Sequence, residues 1–174
     1  MTSFSNILLA LDGSAPSDAA LDAACSLARD RGARITAVNV CEPRPHVHGH
    51  HVDWRGDDDA ARREAFAVLR RASETATHDY GLTMETKLLD GQIVPAIVAH
   101  AQRVGADTIV IGSHGRGGLQ HVLLGSVAEG LMRASPVPVL VVHAASASRA
   151  VEKDGLALAA TAHRDASQHG CVAK

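Results

Sequence analysis

The sequence predicts an α/β protein built on an open, mostly parallel sheet with helices on both faces. Three observations predict it. Short continuous apolar runs alternate with segments of helical periodicity, as doubly buried strands alternate with crossover helices. Hydrophobic residues make up 46% of the 174 residues but aromatics only 2%, so Val, Ile, Leu and Ala must supply the core. Glycines and prolines (Gly32, Gly81, Gly91, Gly105, Pro136 and Pro138) stand where one segment gives way to the next.

The first strand is Ile7 to Leu11, broken by Asp12-Gly13-Ser14. Leu21, Ala24, Cys25 and Ala28 then fall on one face of a helix that Ser14 or Ser17 caps and Gly32 terminates. Ile35 to Val40 is the second strand. Cys41 to Asp59 carries Pro, Gly, His and Asp and is expected as a long loop, with the acids from Asp57 favouring a helix start. Ala65, Leu69, Ala72 and Ala76 line that second helix, which stops near Gly81. Leu82 to Leu89 is a third strand, more alternating, as at a sheet edge. After Gly91, Ile93, Ile97, Val98, Ala101 and Val104 mark a third helix ending at Gly105. Thr108 to Ile111 is the fourth strand, and a glycine-rich stretch follows it. A fourth helix opens at Ser126, with Glu129 three residues on as in a capping box, and Leu131 and Met132 on its apolar side. Pro136 and Pro138 end it, and Val139 to Val142 is the fifth strand. Residues 1–143 are expected as one domain. Residues 144–174, rich in Ala, Ser, His and charge, are expected as a disordered tail.

The bulk properties exclude several classes. Seventeen basic and nineteen acidic residues give a net charge of -2, so no polybasic character points to nucleic acid or an anionic membrane. No stretch approaches the roughly 20 apolar residues of a membrane span, and the start, Met1-Thr2-Ser3-Phe4-Ser5-Asn6, lacks a basic leader. Cys25, Cys41 and Cys171 are odd in number and form no CxxC, which argues against a disulfide framework or zinc knuckle. A cytoplasmic protein is expected. His46, His48, His50 and His51 lie close enough to take up a transition metal. A solvated loop of titrating imidazoles is the favoured reading, and no metal site is assigned. Cys41 reads as a passive thiol in preference to an oxidisable one.

The chemistry concentrates between Gly112 and Ser126. This stretch begins where the fourth strand ends and finishes where a helix begins. Glycines let main-chain N–H groups approach an anion without side-chain obstruction. Gly125 and Ser126 stand at a helix N-terminus, where amides and dipole favour phosphate. The Ser126 hydroxyl adds a donor, and His114 and Arg116 add positive charge. A flexible connection with Ser126 as an ordinary cap is the alternative; placement between strand and helix favours phosphate. Asp12, at the end of a central strand, can accept sugar hydroxyls or help place a metal ion, or be simply a turn residue. Val40 is a core residue unless its strand-end position makes it a ligand wall.

Gly112, Gly115, Gly125 and Ser126 fit the spacing Gly-x2-Gly-x9-Gly-Ser/Thr, and this resembles the ATP-binding universal stress proteins. The similarity extends to Ile7-Leu8-Leu9-Ala10-Leu11-Asp12-Gly13-Ser14, to Ala106 through Gly115, to Leu123 through Glu129 and to Pro136 through Val142. The resemblance implies a Rossmann-like five-stranded parallel sheet of order 3-2-1-4-5, with a nucleotide across the ends of the first, second and fourth strands. It places Ala10 and Asp12 beside the adenosine, with Asp12 near the ribose, and Val40 against adenine. Ile111, Gly112 and Gly115 then run beneath ribose and phosphates, and Gly125, Ser126 and Val127 hold phosphates. It further implies ATP or another adenine nucleotide, with or without Mg²⁺, a role in stress survival, and a homodimer, often formed through the last strand; ATP is expected to order the glycine loop, and a protein partner to read the ordered surface.

The loop has no Walker Gly-Lys-Ser/Thr, since Ser126 follows Gly125 directly. Lys87, Lys153 and Lys174 all lie outside it. Phosphoryl transfer needs in-line placement and charge neutralisation. A nucleotide-responsive binding protein is therefore favoured over an enzyme, with at most weak ATP hydrolysis and no catalytic residue assigned. The alternatives are a slow ATPase or nucleotide hydrolase, and a module for AMP or cyclic AMP.

Overall fold

The structure is a computed structural model, and it describes residues 4–42, 46–48, 51–53, 58–115 and 124–144. The tail expected from residue 144 lies, past Ala144, outside the described residues, as do Arg116 and Cys171.

The chain runs β1 (Asn6–Ala10), α1 (Ala15–Arg31), β2 (Arg34–Cys41), β3 (His46–His48), β4 (His51–Asp53), α2 (Asp58–Tyr80), β5 (Glu85–Asp90), α3 (Ile93–Val104), β6 (Thr108–Gly112), α4 (Ser126–Ala134) and β7 (Val139–Val142). The main sheet is five-stranded, ordered β5-β2-β1-β6-β7, and its pairs are all parallel. Counted within that sheet the order is 3-2-1-4-5, the α/β arrangement expected.

β1 is the middle strand because its residues can be buried on both sides. Ile7, Leu8 and Leu9 are wholly inaccessible, and full burial of a Leu or Ile side chain favours folding by about 1.5–3 kcal/mol. Strand alternation sends Ile7 and Leu9 to one face, where Leu21, Ala24 and Cys25 of α1 and Val68 and Leu69 of α2 cover them. Leu8 and Ala10 go to the other, under Ile97 and Ala101 of α3 and Ala128 and Leu131 of α4. Helices therefore cover both faces.

The boundaries carry four corrections, and at α1 the choice between two expected caps is settled. The expected loop from Cys41 to Asp59 contains a small antiparallel ribbon, β3 on β4, with Val47 opposite Val52. The β-branched pair supplies strand propensity that the surrounding Gly, Pro and Asp concealed. The side chains of this ribbon, and all of His50, lie outside the described residues, and with them the question of a metal. The third main strand begins at Glu85, not Leu82, because the chain after α2 first closes the helix. Gly81 adopts φ 67°, and the Leu82 amide donates back to the Ala76 carbonyl at 2.9 Å. At α1 the cap is Ser14, whose hydroxyl accepts from the Ser17 amide. At α4 the capping box does not form: the cap is Gly125, without a side-chain cap bond. Glu129 instead pairs with Arg133 at 2.7 Å, one turn further on. Met132, expected on the apolar side, is 46% exposed.

The two sheet edges differ. β5 is largely exposed and bears Glu85 and Lys87, charges that discourage further strand pairing. β7 is Val-Leu-Val-Val, and its Leu140 is 39% exposed.

Candidate functional site

A cleft of about 530 Å³ opens at the carboxyl ends of β1, β2 and β6, beneath the start of α4. This is the switch point of an open parallel sheet, where successive connections leave to opposite faces. Ala10 ends β1, Val40 lies next to last in β2, and Ile111 and Gly112 end β6. Asp12, His114 and Gly115 follow on the loops, and Ser126 and Val127 open α4 behind Gly125. All of these line the cleft. Arg116 is the one expected site residue outside the described residues.

Two loops build the floor. In the β1–α1 turn, the Ser14 amide and hydroxyl both donate to Asp12 Oδ1, at 3.0 and 2.7 Å. The carboxylate thus organises an Asx turn, and the turn reading of Asp12 holds for that oxygen. Buried Ser17 accepts from the Asp12 and Gly13 amides at 3.1 and 3.4 Å, so the first turn of α1 pins the strand end. In the loop after β6, the Ser113 amide donates to Val142 O at 2.7 Å, and the Gly125 amide donates to Ser113 O at 2.7 Å. That second bond draws the cap of α4 onto the end of β6. A β-carbon on Gly125 would lie 3.3 Å from the His114 α-carbon, so the two backbones are nearly in contact.

Gly112 and Gly115 have different reasons to be glycine. A β-carbon at Gly112 would stand 2.6 Å from the Pro16 carbonyl carbon and 2.8 Å from the Ser17 amide nitrogen. That glycine lets α1 seat against β6, a packing role the sequence reading did not give it. At Gly115 a β-carbon would meet Asp12 Oδ2 at 2.7 Å, so that glycine leaves room for the carboxylate at the cleft mouth.

The cleft has two characters. Val40, Ile93, Ile97 and Leu124 present hydrocarbon, while Asp12, Ser113, His114, Ser126 and Glu129 present polar groups and main chain. The first three amides of an α-helix have no intrahelical acceptor; Ser126, Val127 and Ala128, which carry them in α4, line this cleft, and the Gly125 cap supplies no side-chain bond. Among the described lining residues there is no lysine or arginine. The ionisable ones are Asp12, His114 and Glu129.

Sequence reasoning missed Ser17, Ile93, Ile97 and Leu124 as lining residues. In the sequence the two isoleucines read as a helix face, and an apolar periodicity does not separate a core contact from a cleft wall. Ser17 reads from the sequence only as a cap.

The sequence model of the Universal stress protein family matches residues 3–143. The chain belongs to that family. Universal stress protein YxiE of Bacillus subtilis is 32% identical over 149 residues, covering 80% of this chain and 99% of YxiE. The fold is similar to that of a universal stress protein solved in complex with cAMP, with TM-score 0.62, 27% identity and coverage of 82% of this chain and 98% of the other. It is also similar to the universal stress protein from Archaeoglobus fulgidus in complex with dAMP, with TM-score 0.59, 26% identity and coverage of 82% and 99%. In this universal stress protein, among the described residues, no helix is long and apolar enough to cross a membrane.

Proposed function

We propose that the cleft binds an adenine nucleotide, ATP foremost, and that the chain acts as a nucleotide-responsive factor in stress survival. The observation that carries this is the pairing, in one cleft, of an apolar slot with an uncapped helix start. Val40, Ile93 and Ile97 suit the faces of a purine. The amides of Ser126, Val127 and Ala128 suit phosphate oxygens. Asp12, in the same cleft, suits sugar hydroxyls. Two structural relatives are solved with cAMP and dAMP, which share adenine, a sugar and a phosphate ester, and this supports the reading.

Mg²⁺ would enter with the phosphates. Among the described residues no group of three His, Cys, Asp or Glu could hold a metal ion, and Mg²⁺ is commonly bound through phosphates and water without a protein cage. A binding role is favoured over turnover because the described wall offers main-chain donors but no lysine or arginine to neutralise a transferring phosphoryl group. Partner recognition would read the surface that the bound nucleotide completes. β7, apolar at an open edge, is the surface for a homodimer in the cytoplasm.

The test is to denature the purified protein, identify any released nucleotide by mass spectrometry, and titrate ATP, AMP and cAMP by calorimetry. A bound adenine nucleotide, with affinity reduced at least about tenfold in Gly115→Val, is the expected result. Failure of all three to bind, or unchanged affinity in that variant, would overturn the reading.

A further inference from the structure

We propose that the groove between α1 and α2 is a second binding site, for a small aliphatic α-amino acid. It goes beyond the nucleotide reading and does not depend on it.

A cavity of about 270 Å³ lies between the two helices. It is on the face of the sheet that α1 and α2 cover, whereas α3 and α4 wall the cleft. Leu11 and Ser17 border both cavities; the charged rim belongs to this one alone. The volume falls just short of the roughly 300–1,000 Å³ of pockets for drug-sized ligands, so it suits a compact occupant.

The lining divides by chemistry. Leu11, Leu21 and Val68 are buried and give it an apolar floor. Asp18 and Asp22 stand one turn apart on α1, and Arg71 and Thr75 one turn apart on α2, so each pair shares a helix face. Two carboxylates at that spacing repel each other, and a cation between them relieves the repulsion. Asp22 also accepts from the Tyr80 hydroxyl at 3.1 Å, which helps to hold it in place.

What points to a ligand is a pairing that the protein leaves unmade. Asp18 and Arg71 carry opposite charges and line one cavity, yet among the described residues neither takes part in an ion pair. Neighbouring arginines of α2 do close such pairs, Arg70 with Glu74 at 3.8 Å and Arg62 with Asp90. A zwitterion completes both halves at once. Its ammonium meets Asp18 and Asp22. Its carboxylate meets the Arg71 guanidinium, whose fork matches two carboxylate oxygens, with the Thr75 hydroxyl as a further donor. Its hydrocarbon side chain covers the floor. A simple anion or a simple cation would satisfy one wall and be repelled by the other.

Calorimetric titration of the full chain with L-leucine, L-isoleucine and L-valine tests this, and at least one should bind. Asp18→Asn and Arg71→Gln, both at exposed positions, should leave the circular dichroism unchanged and each weaken binding about tenfold or more. The amide of the amino acid that binds lacks the carboxylate, and its deaminated acid lacks the ammonium; both should bind as weakly as the variants allow. Absence of binding by all three amino acids at about 10 mM, or binding undiminished in either variant, overturns the proposal. ATP titrated into the same samples reads the cleft separately, so either proposal can fail without the other.

Discussion

The α-carbon of Gly112 faces the main chain of Pro16 so closely that a β-carbon would lie 2.6 Å from the Pro16 carbonyl carbon. Backbone, not a movable side chain, occupies the space. Gly112→Ala is therefore expected to cost about 1–3 kcal/mol of stability as α1 is pushed off β6. Gly115→Ala meets only the end of the Asp12 side chain, and should cost less than about 1 kcal/mol while weakening nucleotide binding. Urea melts of both variants, read with their ATP affinities, check this. Equal destabilisation would show that the two glycines serve one purpose.

Ser17 is the hinge between strand end and helix. Its hydroxyl accepts from two amides at a position 2% exposed. Ser17→Ala leaves those donors without that acceptor and should lower stability by about 1–3 kcal/mol. Ser14→Ala removes an N-cap, for about 1 kcal/mol, and also removes the hydroxyl donor to Asp12 Oδ1 while the amide donor stays. Thermal melts should rank Ser17→Ala at least as damaging; a neutral Ser17→Ala would contradict the geometry.

His100 predicts an acid-sensitive stability. It is 5% exposed on α3; its Nε2 has no partner, and its Nδ1 meets the Arg103 guanidinium. Burial, then the positive charges of Arg103 and Lys87, push its pKa below the ordinary histidine value. The unfolded chain therefore binds the proton more readily. Stability from this residue is complete above the unfolded value, about 6.5, and falls as pH drops through it toward the lowered folded value. His100→Leu should show a smaller loss between about pH 7.5 and 5.5 than the wild type. Equal losses in denaturant melts would rule His100 out as the source.

Leu140 reports on the open edge. It is 39% exposed in β7, and a charge at such an edge discourages strand pairing. Leu140→Glu should convert a dimer to a monomer in light scattering, with little effect on the far edge at β5. A wild type that is monomeric at high concentration would dismiss the β7 interface.

The fold was legible because its central strands are doubly buried: Ile7 to Leu11 and Ile109 to Ile111 are apolar without interruption. The glycine spacing placed Gly115, Gly125 and Ser126 at one cleft. What escaped the reading was context. Val47 and Val52 pair across a ribbon hidden among His and Gly. Glu129 has the spacing of a capping box, yet its carboxylate reaches Arg133. Ile93 and Ile97 carry the same periodicity whether they face a core or a cavity, so only the fold shows which.

The bond from the Gly125 amide to Ser113 O has a consequence for how this surface can change. It ties the end of β6 to the cap of α4 directly, so the floor of the cleft does not depend on side-chain packing to keep those two elements together. Backbone-to-backbone attachment of this kind leaves the lining side chains open to substitution: ligand choice can be retuned at His114 or Val127 while the frame that carries them stays in register.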